Sequence, residues 1–153
     1  MDTFTFRLQP VLDHRRRLED QAKQEFAQAK SRELEAREAL TDMEYAFGEG
    51  QYEMAEATQD DIDLAEVSAC QRYLTRLKTE MLNQNDLVAT LHVVSEEKRT
   101  GVVDGMKSRK IVERLKQRQY EQFMIDINRL EQKQTDERAT TRHGRQKKQT
   151  SHA

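Results

Sequence analysis

Residues that could carry catalysis or bind a metal are few in this chain, and their spacing matches none of the common catalytic or metal-binding motifs. The four histidines lie outside any H-E-x-x-H motif or Cys/His cluster: His14, His92, His143 and His152. His92 and Glu96 stand four residues apart and would share a helix face, where such a pair is an ordinary surface contact. No G-x-x-x-x-G-K-[ST] phosphate loop occurs. We therefore predict that the protein is not an enzyme and has no catalytic residue, metal site or cofactor.

An acidic triplet, Asp60, Asp61 and Asp63, is the next candidate for chemistry, as part of a calcium loop. Such a loop needs six or more oxygen ligands and a sharp glycine turn, and both are missing here. The triplet fits the start of a helix better, because acids there meet the positive end of the helix dipole. Thr58 with Asp61 resembles a capping box. The single cysteine, Cys70, cannot form an internal disulfide, and we expect it to act as a small apolar residue.

The composition is that of long helices and not of a globular domain. Apolar residues make up 35%, charged residues 35% and aromatic residues 6% of the chain. Disordered chains share this polarity, but they have no reason to keep a regular apolar spacing, and the centre of this chain keeps one. We predict disorder only for a basic C-terminal tail, residues 141–153.

Two series of residues in the centre follow steps of four and three, the spacing of a coiled-coil seam. The first series is apolar or small except for one glutamate, and the second contains one glutamine. The series are Ala22, Phe26, Ala29, Glu33, Ala36, Leu40, Met43 and Phe47, and then Val67, Cys70, Leu74, Leu77, Met81, Gln84, Val88 and Leu91. Two seams joined by a short break predict an all-α fold, a long antiparallel two-helix coiled-coil hairpin.

Proline and glycine set the predicted boundaries of a single coiled-coil domain over residues 1–153. Pro10 is tolerated in the first turn of a helix, so the first helix should run from about 8 to 48. Gly48 and Gly50 should end it, since glycine readily forms a helix C-cap. The turn should cover about 49–59 and the second helix about 60–140. Upstream, the seam should continue through Leu8, Val11, Arg15 and Leu18, with a local stutter before Ala22.

The second helix should be the longer one and should overhang its partner. A turn near residue 54 would place residue 10 opposite about residue 98, which leaves the segment from Met106 unpaired. This segment keeps an apolar face formed by Ile111, Leu115, Tyr120, Phe123, Ile127 and Leu130. An apolar stripe without an intramolecular partner indicates a binding surface or a dimer seam. The alternative is that this segment covers Phe4, Phe6 and Leu8.

Charge divides the chain into an acidic and a basic region. Residues 38–71 contain no Lys or Arg, whereas Lys and Arg outnumber Asp and Glu in residues 107–148. In a hairpin these regions would form two poles that attract different partners. The acidic pole also carries aromatic residues, which favours a protein contact. The basic tail residues lack interleaved aromatics, so we expect no nucleic-acid binding: Arg142, Arg145, Lys147 and Lys148.

The sequence also bears on location. The N-terminus lacks the basic flank and apolar core of a signal peptide, and no apolar run approaches the roughly 20 residues of a membrane span. We therefore expect a soluble cytoplasmic protein without direct membrane insertion.

The order of these features resembles the flagellar export protein FliJ family. The opening shares the family's F-x-F-x-L lead, then V-L, then basic residues before an acidic, alanine-rich helix. The matching positions are Phe4, Phe6, Leu8, Val11, Leu12, Arg15, Arg16, Arg17 and Glu19. Residues 70–81 look like the family's helix after the turn. Residues 106–139 look like its C-terminal helix, which closes on D-E-x-A at Asp136, Glu137 and Ala139.

The resemblance implies a non-catalytic part of the flagellar type III export apparatus, at the cytoplasmic face of the inner membrane. It implies a coiled coil similar to the central stalk of rotary ATP synthases. Its open end would enter the pore of the hexameric export ATPase and promote ring assembly. The hairpin would also contact the cytoplasmic domain of the export gate, and export chaperones are further possible partners.

Two groups of residues follow as predicted contacts. We assign the ATPase contact to Phe4, Phe6, Leu8, Arg15, Phe123, Ile127 and Leu130. We assign the gate contact to Tyr45, Tyr73, Leu77 and Gln84. Three alternatives stay open: the equivalent stalk of a virulence type III secretion system, a homodimeric scaffold that pairs through residues 106–140, and a helical nucleic-acid-binding protein.

Overall fold

The chain folds into two long helices packed against each other, as seen in a computed structural model. The structure describes residues 3–59 and 63–150, and side chains up to residue 141. The helices are α1, Gln9–Ala57, and α2, Leu64–Thr150. No strand occurs among the described residues, and α2 is the longer helix. The predicted all-α fold with a longer second helix is therefore confirmed.

The chain divides into two compact units. The hairpin unit is Arg17–Met106, and the terminal unit is Met1–Arg16 together with Lys107–Ala153. Each unit contains a stretch of α1 and a stretch of α2. The single domain over residues 1–153 stays a prediction.

In the hairpin unit the two helices run antiparallel along the predicted seam. Lys98 Nζ lies 2.7 Å from a Glu25 carboxylate oxygen, and Gln84 donates a hydrogen bond of 2.9 Å to the carbonyl of Ala36. Partner numbers in α2 thus fall as those in α1 rise. Every residue of both predicted seams is buried or half-buried. The periodicity therefore identified the packed face of each helix correctly.

The end of α1 was predicted wrongly. The helix does not stop at Gly48 or Gly50 but continues to Ala57, and neither glycine has a positive φ. Gly50 is buried in the seam, and a Cβ added there would lie 2.9 Å from Leu74 Cδ2. Gly50 is therefore a packing residue that lets Leu74 approach α1, and helix packing outweighs its low helix propensity.

The helix ends beside the turn also differ from the prediction. The Thr58 hydroxyl donates to the carbonyl of Ala55 at 2.8 Å and so closes the last turn of α1. The Asp63 carboxylate accepts a hydrogen bond of 2.9 Å from the Ala65 backbone N–H, as an N-cap residue does. The predicted pairing of Thr58 with Asp61 cannot be placed, since residues 60–62 lie outside the described residues.

Two other helical glycines differ from Gly50, and this difference gives a stability prediction. A Cβ added at Gly48 or Gly101 would meet nothing within 4 Å. We expect Gly101→Ala to raise the free energy of unfolding by up to about 1 kcal/mol, since alanine favours the helix. Gly50→Ala should gain less, because Leu74 must move. Urea unfolding followed by circular dichroism measures both variants, and equal gains would contradict the packing role of Gly50.

The upstream seam was shifted by one residue in the prediction. Leu8, Val11, Arg15 and Leu18 are exposed, whereas Leu12 and Glu19 are buried. From Glu19 the seam reaches Ala22 in a step of three, so no stutter is needed there. The predicted positions, with Leu8, Val11 and Leu18, are together more hydrophobic than the side that contains Glu19. The register of α2 nevertheless decides which side of α1 is covered.

The terminal unit corrects the predicted overhang. The Phe4 ring contacts the rings of Tyr120 and Phe123, with centroids 5.3 and 5.6 Å away. Phe6 is buried, and Lys116 Nζ lies 5.9 Å from its ring centroid. The N-terminal segment therefore covers residues of α2 after Met106. This agrees with the alternative prediction for Phe4 and Phe6. The cause is the later turn, which lengthens α1.

The far end of α2 remains exposed. Residues 128–141 are all exposed, so helical surface without a described partner starts after Ile127 and not at Met106. The backbone stays helical to Thr150, where disorder was predicted from residue 141. Residues 151–153 of the predicted tail lie outside the described residues.

Candidate partner-binding surfaces

The described residues hold no group of three or more His, Cys, Asp or Glu side chains that could bind a metal ion. None of the helices in this described part combines the length and apolar character needed to span a bilayer. The candidate functional features are therefore the surfaces of the two units and one buried charged cluster.

The terminal unit brings together most of the residues predicted to contact the ATPase. Phe4 and Phe123 are half-buried in ring contact, and Ile127 is also half-buried. Leu130 is 52% exposed on the part of α2 that has no described partner. Phe6 is buried, so its side chain is not accessible to a partner.

Exposed apolar side chains in the terminal unit extend beyond the predicted set. Leu8 was predicted and is exposed, and its neighbour Val11 is exposed as well. The further exposed residues on α2 are Ile111, Leu115, Met124 and Ile125. The observed register explains their exposure. Val112 and Lys116 face α1, which leaves their neighbours Ile111 and Leu115 on the outer side of α2. Such apolar surface favours a protein partner.

The four residues predicted to contact the gate divide into two pairs. Tyr45 is 69% exposed and Tyr73 is 51% exposed, so both are available to a partner. Leu77 is buried, and Gln84 holds the two helices together through its hydrogen bond to Ala36. The tyrosines therefore form the accessible part of the predicted site.

Tyr45 borders an open groove on α1 that sequence reasoning missed. The groove has a volume of about 560 Å³ and is lined by Glu44, Tyr45, Gly48, Glu49, Tyr52 and Glu53. A hydrogen bond to Glu49 raises the pKa of the Tyr45 hydroxyl. Tyr52 donates a hydrogen bond of 2.9 Å to Glu56. The spacing of two tyrosines around an interior glycine was the signal that could have revealed this groove.

Glu33, the charged exception in the first seam, is fully buried at the centre of a polar cluster. The Ser95 hydroxyl donates to one carboxylate oxygen at 2.5 Å, and Lys30 lies 2.9 Å from that same oxygen. Arg37 and His92 reach the other oxygen at 2.7 and 3.0 Å. His92 therefore contacts Glu33, whereas a contact with Glu96 was predicted.

The cluster keeps Glu33 ionised. The hydrogen bonds from Ser95 and Lys30, with smaller contributions from His92 and Arg37, hold the pKa of the Glu33 carboxyl well below its usual value, against the opposing effect of burial. A buried charge with several partners costs free energy if the partners do not align, so the cluster favours one register of the two helices.

The lowered pKa predicts a pH-dependent contribution to stability. Protonating the carboxyl is harder in the folded than in the unfolded chain, whose carboxyl titrates near 4.5. The stabilisation is therefore complete at neutral pH and declines as the pH falls below about 4.5. We expect Glu33→Gln to unfold at lower urea than the unmodified chain at pH 7, with the difference shrinking in acid. Glu38→Gln, at an exposed position, is the control, and a difference independent of pH would contradict this account.

Comparison with known proteins connects these surfaces to a family. A family model described as the flagellar FliJ protein matches residues 4–148 of this chain. No curated protein and no solved structure matches the chain. The match covers all of α1 and nearly all of α2. This chain therefore belongs to the flagellar FliJ protein family and, with that family, to the components of flagellar type III export.

Proposed function

We propose that this chain is a non-catalytic stalk of the flagellar export apparatus. It binds the hexameric export ATPase, promotes assembly and activity of the ring, and links the ring to the cytoplasmic domain of the export gate. The observation that carries the proposal is the family match over residues 4–148. This role places the protein at the cytoplasmic face of the inner membrane, and escort of export chaperones is part of the proposal.

The ATPase contact belongs to the terminal unit in this proposal. Phe4 and Phe123 form a half-buried aromatic pair, Ile127 is also half-buried, and Leu130 lies on the exposed part of α2. Leu8 and Arg15 are exposed on the segment around the start of α1. Exposed apolar side chains such as Leu8 and Leu130 suit contact with a pore lined by protein.

The gate contact belongs to the hairpin unit. Tyr45 and Tyr73 carry it, because exposed tyrosines are frequent hot spots of protein interfaces. Leu77 and Gln84 act indirectly by holding the helices that present Tyr73.

The test is the hydrolysis rate of the cognate flagellar export ATPase with and without this protein, together with the oligomeric state of the ATPase. We expect a higher rate and more hexamer when the protein is present. No stimulation and no ring assembly, with both proteins folded, would refute the stalk role.

A homodimeric scaffold is the second candidate, favoured by the exposed Ile111, Leu115 and Ile125 in the terminal unit. Sedimentation equilibrium separates the two candidates. A dimer that is lost in Ile111→Glu, without any effect on the ATPase, would support the scaffold.

A further inference from the structure

The two long sides of the hairpin unit differ in chemistry. In heptad notation, Glu33 and Ser95 occupy a positions, and both seams consist of a and d residues. The residues after each d position, the e residues, include Lys30 and Arg37 of α1 and His92 of α2, all three of which reach Glu33. The e residues of the two helices thus share one side, which is mostly cationic.

The g residues, which precede each a position, lie on the opposite side. Glu25 and Gly101 are both g residues, and they line the same small groove between the helices. Of the nine g positions further along the unit, five are small or apolar and four are charged. The small or apolar ones are Ala39, Ala46, Tyr73, Leu87 and Val94, and the charged ones are Arg32, Glu53, Glu66 and Glu80. The two alanines are half-buried, whereas Tyr73, Leu87 and Val94 are exposed.

This stripe of g residues makes the apolar surface wider than the packing of two helices requires. A strict a/d pattern is enough for a two-helix seam, whereas a helix that is apolar at a, d and g packs against two neighbours. In the hairpin unit both helices are extended toward the same side. The exposed stripe is thus continuous with the existing interface and has the geometry that a third helix would complete.

The border of the stripe on α1 is acidic. On α1 the c residues, next to the g positions on the outer side, are Glu35, Asp42, Glu49 and Glu56. No Lys or Arg occurs in residues 38–71. On α2, Arg76 faces this side but is engaged by Glu80, with a separation of 2.9 Å. An occupant would therefore meet an apolar floor around Ala39, Ala46 and Leu87, with a negatively charged rim on α1 and Arg32 as the one cation among the g residues.

We propose that this side of the hairpin unit, the g groove, binds an amphipathic helix of a partner protein whose apolar stripe is bordered by Lys or Arg. The apolar stripe packs on Leu87, Val94 and the two alanines, and the cations face Asp42 and Glu49. The g groove includes Tyr73, so the inference deepens the proposed gate contact and in that respect rests on the proposed function.

The test uses two synthetic three-heptad peptides and the full-length protein. Both peptides carry Leu at a and d; one carries Lys and the other Glu at e and g, where like charges oppose self-association. Fluorescence anisotropy measures binding at low and high salt. We expect the Lys peptide to bind, the Glu peptide not to bind, and salt to weaken the complex.

Matched variants locate the binding site. Leu87→Glu should weaken binding of the Lys peptide at least tenfold because it removes apolar packing, although it also adds a negative charge. Leu82→Glu adds the same charge on the other side of the unit, where Leu82 is 62% exposed, and should change little. Asp42→Asn with Glu49→Gln should weaken binding and reduce its salt dependence.

Three results would overturn the proposal. They are similar binding of both peptides, an equal loss in Leu82→Glu, and a dimer of the unmodified protein that Leu87→Glu dissociates, which would make a second copy the occupant. These measurements contain no ATPase, so a failure here is distinct from a failure of ATPase stimulation.

Discussion

Replacing Leu12 with Ala should lower the free energy of unfolding by about 2–5 kcal/mol, the usual cost of such a cavity. Leu12 is 0% exposed in the terminal unit. Alanine forms helices at least as well as leucine, so the loss reflects packing and not helix propensity. Urea unfolding followed by circular dichroism provides the measurement.

The control for Leu12 is Ile111→Ala in the same unit. Ile111 is exposed, so removing its side chain should change stability by less than about 0.5 kcal/mol. If Leu12→Ala were as mild as the control, Leu12 would not be a core residue of the terminal unit.

Replacing Tyr73 with Ala should weaken binding to the cytoplasmic domain of the export gate by at least tenfold. The ring is exposed, and tyrosine is enriched among the few interface residues whose truncation costs about 2 kcal/mol or more. ATPase stimulation should stay unchanged, because Tyr73 belongs to the hairpin unit. Calorimetric titration with the gate domain and an ATPase assay on the same protein measure both effects.

Leu130→Glu is the reciprocal variant. It places a charge on the exposed part of α2 and should reduce ATPase stimulation while leaving gate binding intact. Its exposed position makes a folding defect small, and circular dichroism checks this. If either variant lost both activities equally, the assignment of the two partners to separate units would be wrong.

The helices themselves were predictable because their signals are local. Steps of three and four from Ala22 to Phe47 and from Val67 to Leu91 identify the buried face of a helix wherever it lies. Pro10 stands in the first turn of α1, as its missing N–H predicts. Glu33 was visible as an exception in the seam, although its partners were not.

Register was not predictable, because it depends on contacts between distant residues. Gly48 and Gly50 suggested a helix end, but Gly50 packs against Leu74 and α1 continues to Ala57. This misplaced turn displaced the pairing, so Phe4 meets Tyr120 where an unpaired overhang was expected. An error in one loop therefore changed every predicted contact of the N-terminal segment.

The exposure of the candidate site residues was predictable only in part. Tyr45 and Tyr73 are exposed, whereas Phe6 and Leu77 are buried and Gln84 spans the helices. The sequence shows that these residues lie on or near a seam. Their exposure depends on which side chains of the other helix pack against them.

The sequence by itself determined the fold class, the two seams and the family, because helical periodicity and the order of family motifs are properties of the chain alone. Only the tertiary structure decided the end of α1, the register, the partners of Glu33 and the side chains left for other proteins. The physical reason is that in a two-helix fold a residue is covered only by the segment of the other helix that lies opposite it. The pairing of the helices decides which segment that is.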